Sequence, residues 1–391
     1  MTKDIDKKNW KPVAFGDMCK NLNVSEREPL ENGIDRYVGL EHIETENLHI
    51  KSWGNVADGT TFTKRFSKGQ VLFGKRRPYL RKAAVADFDG ICSGDILVFE
   101  ANEKTIDPNL LPFIVSSDGF FEYAIQTSAG SLSPRTKFQD LEKLEFFLPP
   151  KDQQAKLAEL LWTADEVVQK YKGLNIVLKN NVQTFLDNKF GFIKNEIREL
   201  NQKPLKLLDC ILGKAQYGAN APSKSFEENS PRYIRITDLN DDGYLIQEDK
   251  VTINSRDYYD YILKDGDFLF ARTGNTVGKT LLYSSQMGHC VYAGYLIRFK
   301  LNKETLLPEF LDLFCRTSLY QDFIRKSVKV GAQPNINAEQ YSNMSLPVPT
   351  TDIQDEILKQ FYKMKSALDL NSNTLITSNN IQKQLINQIF S

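Results

Sequence analysis

Residues 60 to 85, TTFTKRFSKGQVLFGKRRPYLRKAAV, carry eight cations (Lys64, Arg65, Lys68, Lys75, Arg76, Arg77, Arg81 and Lys82) and no acid. Such a run repels itself unless an anion meets it. Lys and Arg neutralise phosphates, Arg also forks onto the acceptor edge of guanine, and Tyr79 among them can pack on sugar or base. The alternative is a merely solvated basic face. A sparser set follows later, with Arg272, Asn275 and Lys279 around a glycine loop and Arg325, Lys326 and Lys329 beyond it. Two further strings align on a proline, SLSPRTK at 131–137 and GAQPNIN at 331–337. Their neighbours differ in polar chemistry: Ser133, Arg135 and Lys137 against Gln333, Asn335 and Asn337. Arg suits guanine and Asn or Gln suits adenine, so one scaffold position can read two different bases. The alternative for these strings is a loop that leads into a helix and touches no nucleic acid.

Other chemistry is poorly supported. GNTVGKT at 274–280 resembles a phosphate loop, but three residues lie between its glycines where four are needed, and LLYSS after it reads as a strand. A loop between two strands is the better expectation. There is no Asn-Pro-Pro-aromatic tetrapeptide for amino-methyl transfer to a base and no glycine-rich cofactor fingerprint. Asp95 and Glu100 sit near lysines, but 50 acids in 391 residues produce such neighbours by chance. Five scattered cysteines without a C-x-x-C pair, and three histidines, indicate neither a disulfide framework nor a metal site. Neither a catalytic residue nor a metal ligand is expected in this chain.

The elements that must position these residues come next. Fifty Lys and Arg balance 50 Asp and Glu, so any anion-binding surface is local rather than global. At 41% hydrophobic and 26% charged the composition is globular, and the length suggests about two to three domains. Nowhere do the roughly 18 apolar residues of a membrane span occur in a row, and MTKDIDKKNW has no apolar signal core, so a cytoplasmic protein is expected.

The chain is one unit written twice. Tyr37 in RYVGLEHI matches Tyr233 in RYIRITDL at an offset of 196 residues, and from Gly94 onward the offset settles at 200. Pro108 and Pro308, Pro134 and Pro334, Pro149 and Pro349, Gln154 and Gln354, and Phe190 and Phe390 all obey it. Each unit opens with about 150 residues of short apolar and aromatic runs, such as GQVLFGK and GDFLFAR, which predict strands with a few helices. Its last 40 or so residues predict a long helix. The boundaries expected are 1–150 and 201–350 for globular domains, with helical segments at 151–200 and 351–391.

In the first helical segment Leu157, Leu161, Val168, Asn175, Leu178 and Phe185 lie on a 4-3 repeat. Adding 200 gives Ile357, Phe361, Leu368, Asn371, Leu375 and Leu385, the same seam. Two such seams predict a coiled coil of two helices about 35 to 40 residues long, with amphipathic helices on separate globular cores as the alternative. If they run antiparallel with Leu157 opposite Ile389, Asn175 falls opposite Asn371. Gly173 and Gly191, poor helix formers, leave the continuity of the first helix open.

With the duplication and these strings in view, the chain resembles the specificity subunit of a type I restriction-modification system. The most similar stretches are VLFGKRRPYLRKAAVADFDGICSGDILVF, GDFLFARTGNTVGK, and the joints LPPKDQQAKL and LPVPTTDIQDEI. Such joints usually carry Glu-Gln, and Gln153-Gln154 and Ile353-Gln354 depart from that.

The resemblance implies an α/β (α+β) fold in which two similar target-recognition domains are separated by two long antiparallel helices, as a pseudo-two-fold repeat. It implies a non-catalytic subunit that binds double-stranded DNA, each domain reading half of a bipartite, asymmetric target. It further implies two methyltransferase subunits that methylate adenine with S-adenosylmethionine, and two restriction-translocase subunits that use ATP and Mg. Those cofactors belong to the partners. A stand-alone nuclease or NTPase, or a protein scaffold without DNA contact, remain the alternatives.

Overall fold

The structure, a computed structural model, describes residues 7–240, 243–328 and 333–390. It divides into two compact units, one of residues up to Gly173 together with those from Ser372 on, the other Leu174–Asn371. The division cuts both long helices near their middles, not at their starts.

In the first unit, strands Cys19–Leu22, Ile96–Ala101, Val71–Gly74 and Ala83–Val85 lie in that order in one antiparallel sheet. The run VLFG is continuously apolar because both faces of its sheet are covered. Phe73, Leu97 and Phe99 point into a core shared with the helices Leu111–Ser116 and Asp118–Gln126, while Leu72, Ile96 and Val98 point into a second core. That alternation is the two-residue period of a strand. The second core is closed by a smaller sheet in which Arg36–Val38 runs parallel to Gly90–Cys92, flanked by Gly54–Asn55 and Lys64–Phe66. Strands Lys11–Ala14 and Glu145–Leu148 pair antiparallel and bring the chain to the first long helix.

The second unit repeats this plan. Gln216–Tyr217, Leu296–Phe299, Phe268–Ala271 and Thr280–Leu282 form the main sheet in the same order. Phe268, Phe270, Ile297 and Phe299 face the helices, and Leu269, Ala271 and Leu296 face the smaller sheet, where Arg232–Ile234 runs parallel to Cys290–Tyr292. The copies differ at the edge: the strand Lys64–Phe66 is reduced in the second unit to a single bridge, Ile262 to Val291. The GNTVGKT string is, as its sequence suggests, a turn between two strands.

The first long helix, Lys151–Glu199, runs 49 residues without a break, and the second, Thr351–Phe390, runs 40. Gly173 and Gly191 leave the first unbroken, and the helix outruns the 35 to 40 residues inferred from the seam. A Cβ added at either glycine would meet nothing within 4 Å, so no close approach requires glycine there. Within the first unit Leu157 and Leu161 share a core with Leu385 and Ile389, and Val168 is also buried. Within the second, Phe185 shares a core with Ile357 and Phe361, while Leu178 and Leu368 are half-buried. Leu375 is half-buried as well. These pairings run antiparallel.

Positions just beside the seam are buried too. Ala158, Ile386 and Phe390 enter the first globular core, and Leu186, Phe190, Ile193 and Leu358 enter the second. Each helix therefore uses one stripe for its partner helix and an adjacent stripe for a globular core, and the two expectations for these segments are both realised. The offset of 200 between Phe190 and Phe390 reflects these equivalent burials.

The helix starts explain the repeated glutamine. Gln154 accepts from the Asp107 N–H at 2.7 Å and donates to the carbonyls of Thr105 (3.3 Å) and Pro149 (3.1 Å). Gln354 accepts from the Leu307 N–H at 2.9 Å and donates to Thr305 and Pro349, both at 2.8 Å. Both side chains are buried. One side chain thus satisfies three otherwise stranded backbone groups where globular domain and helix meet.

Candidate nucleic-acid interface

In the first unit the loop Lys75–Lys82 joins two strands of the main sheet, with a short 3-10 turn at Pro78–Leu80. Arg77 (φ 54°, ψ 60°) and Arg81 (φ 50°, ψ 51°) bracket that turn in the left-handed region. The loop is stitched to the Pro134 segment: Arg77 N–H donates to Pro134 O at 2.7 Å, Thr136 N–H donates to Lys75 O at 3.1 Å, and Arg76 bridges to Arg135. Arg135 forks onto Asp95 (2.8 and 3.3 Å), Arg76 approaches the same carboxylate at 3.5 Å, and Arg76 also donates to Ser133 Oγ at 3.2 Å. The hydrogen bond from Arg135 holds the Asp95 carboxyl below its ordinary range despite partial burial. One carboxylate thereby orients two guanidinium groups on the rim, with Arg77, Tyr79 and Lys137 exposed beside them.

The second unit builds the same junction from different side chains. Gly274 N–H donates to Pro334 O at 3.0 Å, Ile336 N–H donates to Arg272 O at 2.8 Å, and Thr273 bridges to Asn335. Arg272 lies over the Tyr217 ring at 4.8 Å and donates to Asn335 Oδ1 at 3.3 Å. Where the first unit has Asp95, the second has Tyr295, 60% exposed. The same main-chain bond serves both, Lys75 N–H to Asp95 O and Arg272 N–H to Tyr295 O, each 3.0 Å. Asn275 and Gln333 are exposed nearby in sequence.

Several residues of the basic run are turned inward, because acids and carbonyls distant in sequence meet them in the fold. Lys64 donates to Ile96 O at 3.0 Å, and burial lowers its pKa. Lys82 donates to Leu40 O at 2.6 Å, and its counterpart Lys279 donates to Leu239 O at 3.0 Å. Arg81 pairs with Glu46 and Asp118 and lies over Phe121. Arg65 sits 3.6 Å from Glu26. The acid-free run is therefore no free cationic block; its outward remainder is exposed Lys68 and Arg77 with half-buried Lys75 and Arg76. Asn337 is a helix cap: its Oδ1 accepts from Gln340 N–H at 2.8 Å, and Gln340 returns the bond at 2.9 Å. Arg325 pairs with Asp322 on the helix Ser318–Ser327, whose last turn also carries exposed Lys326. Lys329 lies outside the described residues.

Sequence reasoning did not single out Tyr217 or Tyr295, and set Asp95 aside as a chance neighbour of lysines. The signal for two of them was present, since Tyr295 stands 200 residues after Asp95. Among the described residues no group of acids, histidines and cysteines is placed to hold a metal, and no helix is long and apolar enough to cross a membrane.

One scaffold used twice, with matched loops carrying different polar side chains, defines a tandem-repeat protein with one candidate interface in each unit. The family model of the type I restriction modification DNA specificity domain matches residues 7–180 and again 212–378. The chain belongs to this family, that of the specificity subunits of type I restriction-modification systems. It is 28% identical over 179 residues to the type I restriction enzyme EcoDI specificity subunit of Escherichia coli, covering 44% of this chain and 39% of that protein. It is 28% identical over 191 residues to the HindI specificity subunit of Haemophilus influenzae, covering 46% and 41%. The matched part is thus less than half the length of these two relatives. Among solved structures, a type I restriction-modification S subunit from M. genitalium matches at TM-score 0.60 and 14% identity, over 100% of this chain and 98% of that one. A chain solved in work on assembly and conformational transition of the type I R-M system matches at TM-score 0.62 and 19% identity, over 98% and 97%. These two likenesses concern the fold.

Proposed function

We propose that this chain is the DNA-reading subunit of a type I restriction-modification complex, each unit reading one half of a bipartite, asymmetric target. The observation that carries this reading is the matched junction: Arg76, Arg77, Asp95 and Arg135 in one unit stand where Thr273, Gly274, Tyr295 and Asn335 stand in the other. Like scaffolds with unlike rims suit a site whose two halves differ. Two half-site free energies add, so specificity is high while unread bases between them cost little.

In this reading the chain performs no catalytic step. Two methyltransferase subunits dock on the long helices, where Leu160, Val167, Leu174, Ile176, Ile376 and Ile381 are exposed apolar side chains. Two restriction-translocase subunits join them. S-adenosylmethionine, ATP and Mg are held by those partners, and the complex works in the cytoplasm, where DNA is.

The test is to co-express the full chain with its cognate methyltransferase subunit and map modified adenines across the host genome. A split motif with two different halves is expected. A continuous motif, a palindrome, or no sequence-dependent modification overturns the reading.

A further inference from the structure

Arg77 and Arg81 sit in left-handed backbone at φ 54° and 50°, and the matched positions of the second unit are Gly274 and Gly278, at φ 67° and 87°. The match is set by shared main-chain bonds. Arg77 and Gly274 donate to Pro134 and Pro334, while Leu80 N–H and Val277 N–H donate back to Arg77 O and Gly274 O. A left-handed corner carries a steric cost for a side-chain-bearing residue that glycine avoids. Arg77 also precedes Pro78, which further favours extended backbone.

For Arg81 the fold itself accounts for arginine, through Glu46, Asp118 and Phe121. Arg77 has no such return. Among the described residues its guanidinium makes one long contact, Nη2 to Leu132 O at 3.4 Å, and the side chain is exposed. An arginine kept where glycine folds more easily, with its donors facing solvent, points to a ligand rather than to the core.

The duplication says which part of the ligand. Sugar-phosphate backbone is the same in every half-site, so contacts to it can be shared by both units, whereas contacts to base edges must differ between units that read different sequences. Lys75 and Arg272 are the shared cation, at matched positions bonded alike to residues 95 and 295. Arg77 and Gly274 are the divergent pair.

We infer that Arg77 is a base-reading, specificity-determining residue of the first unit, its fork directed at the acceptor edge of a guanine, while Lys75 and Arg272 contact phosphate in both. This inference rests on the proposed DNA-reading function. It is tested with the full chain in complex with its methyltransferase subunit, on the target duplex mapped for the wild type and on single-base variants of each half.

Arg77→Gly installs the residue the second unit uses. The melting temperature is expected to stay or rise slightly, while discrimination at one base pair of one half-site falls about 5- to 150-fold, the value of one good bidentate contact, with the other half unchanged. Lys75→Met is expected to weaken binding alike on all sequences and to lower the salt dependence by about one phosphate contact. The inference is overturned if Arg77→Gly weakens all sequences equally, which makes Arg77 a phosphate contact. It is equally overturned if the variant leaves every discrimination ratio intact, with or without a loss of melting temperature. If the wild-type complex itself shows no sequence preference, the functional reading fails instead.

Discussion

The side-chain amide of Asn371 donates to Asn175 Oδ1 at 3.2 Å across the helix pair of the second unit. The bond joins the two residues that an antiparallel seam places opposite each other. A polar pair at such a position penalises slipped registers, since a shift sets each amide against an apolar neighbour.

Replacing one partner therefore costs more than replacing both. Asn175→Leu is expected to destabilise the full chain by about 1–3 kcal/mol, because buried Asn371 loses this partner. Asn175→Leu with Asn371→Leu should recover most of that loss. Chemical denaturation of the three proteins measures it, and a double variant no more stable than the single one would refute the coupling.

Gln154 and Gln354 should behave as equals. Each variant, Gln154→Leu or Gln354→Leu, strands one N–H and two carbonyls that the native side chain satisfies. A loss of at least about 2 kcal/mol is expected at either site, read from urea midpoints. Hydrogen exchange should quicken at Asp107 in the first case and Leu307 in the second.

Asp165 ties stability to acidity in the first unit. Burial alone would raise its carboxyl pKa, but hydrogen bonds from His49 and Gln382 outweigh it and hold the pKa below the ordinary 3.8. The unfolded chain then binds the proton more readily than the folded one, so this contribution is complete above the ordinary carboxylate range. It is lost as pH falls through the depressed value. Asp165→Asn should flatten the fall in stability as pH drops below the ordinary carboxylate value of 3.8, and a slope identical to wild type would refute the assignment.

Arg81 and Arg76 should separate stability from binding. Arg81→Ala removes one partner of Glu46 and Asp118, leaving them Lys383, and should cost about 1–2 kcal/mol with little change in the salt dependence of DNA binding. Arg76→Ala should do the reverse, lowering affinity while leaving the melting temperature within a degree or two. Paired thermal melts and salt titrations distinguish them.

The duplication, the two helices and their seam were legible because they are periodic: a repeat at 200 residues and apolar positions at threes and fours survive in one dimension. The basic run was only half legible. Its lysines were visible, but Leu40, Ile96 and Asp118, which engage Lys82, Lys64 and Arg81, arrive from 32 to 42 residues away through sheet pairing and helix packing. A list of charges cannot carry that information. Gln154 and Gln354 were visible as a repeated letter whose purpose depends on carbonyls about 50 residues upstream. The left-handed corners at Arg77 and Arg81 left no local trace, because only the other copy's glycines reveal them.

The first unit is closed by residues from far down the chain: Ile386, Ile389 and Phe390 fill a core that otherwise consists of residues before Gly173. On the ribosome, the module whose synthesis begins first must therefore wait with an open apolar face while about two hundred further residues emerge and fold among themselves. Birth order and order of completion are reversed. A cell that stalls translation within the second helix, just past Asn371, makes a polypeptide in which the later module can mature and the earlier one cannot.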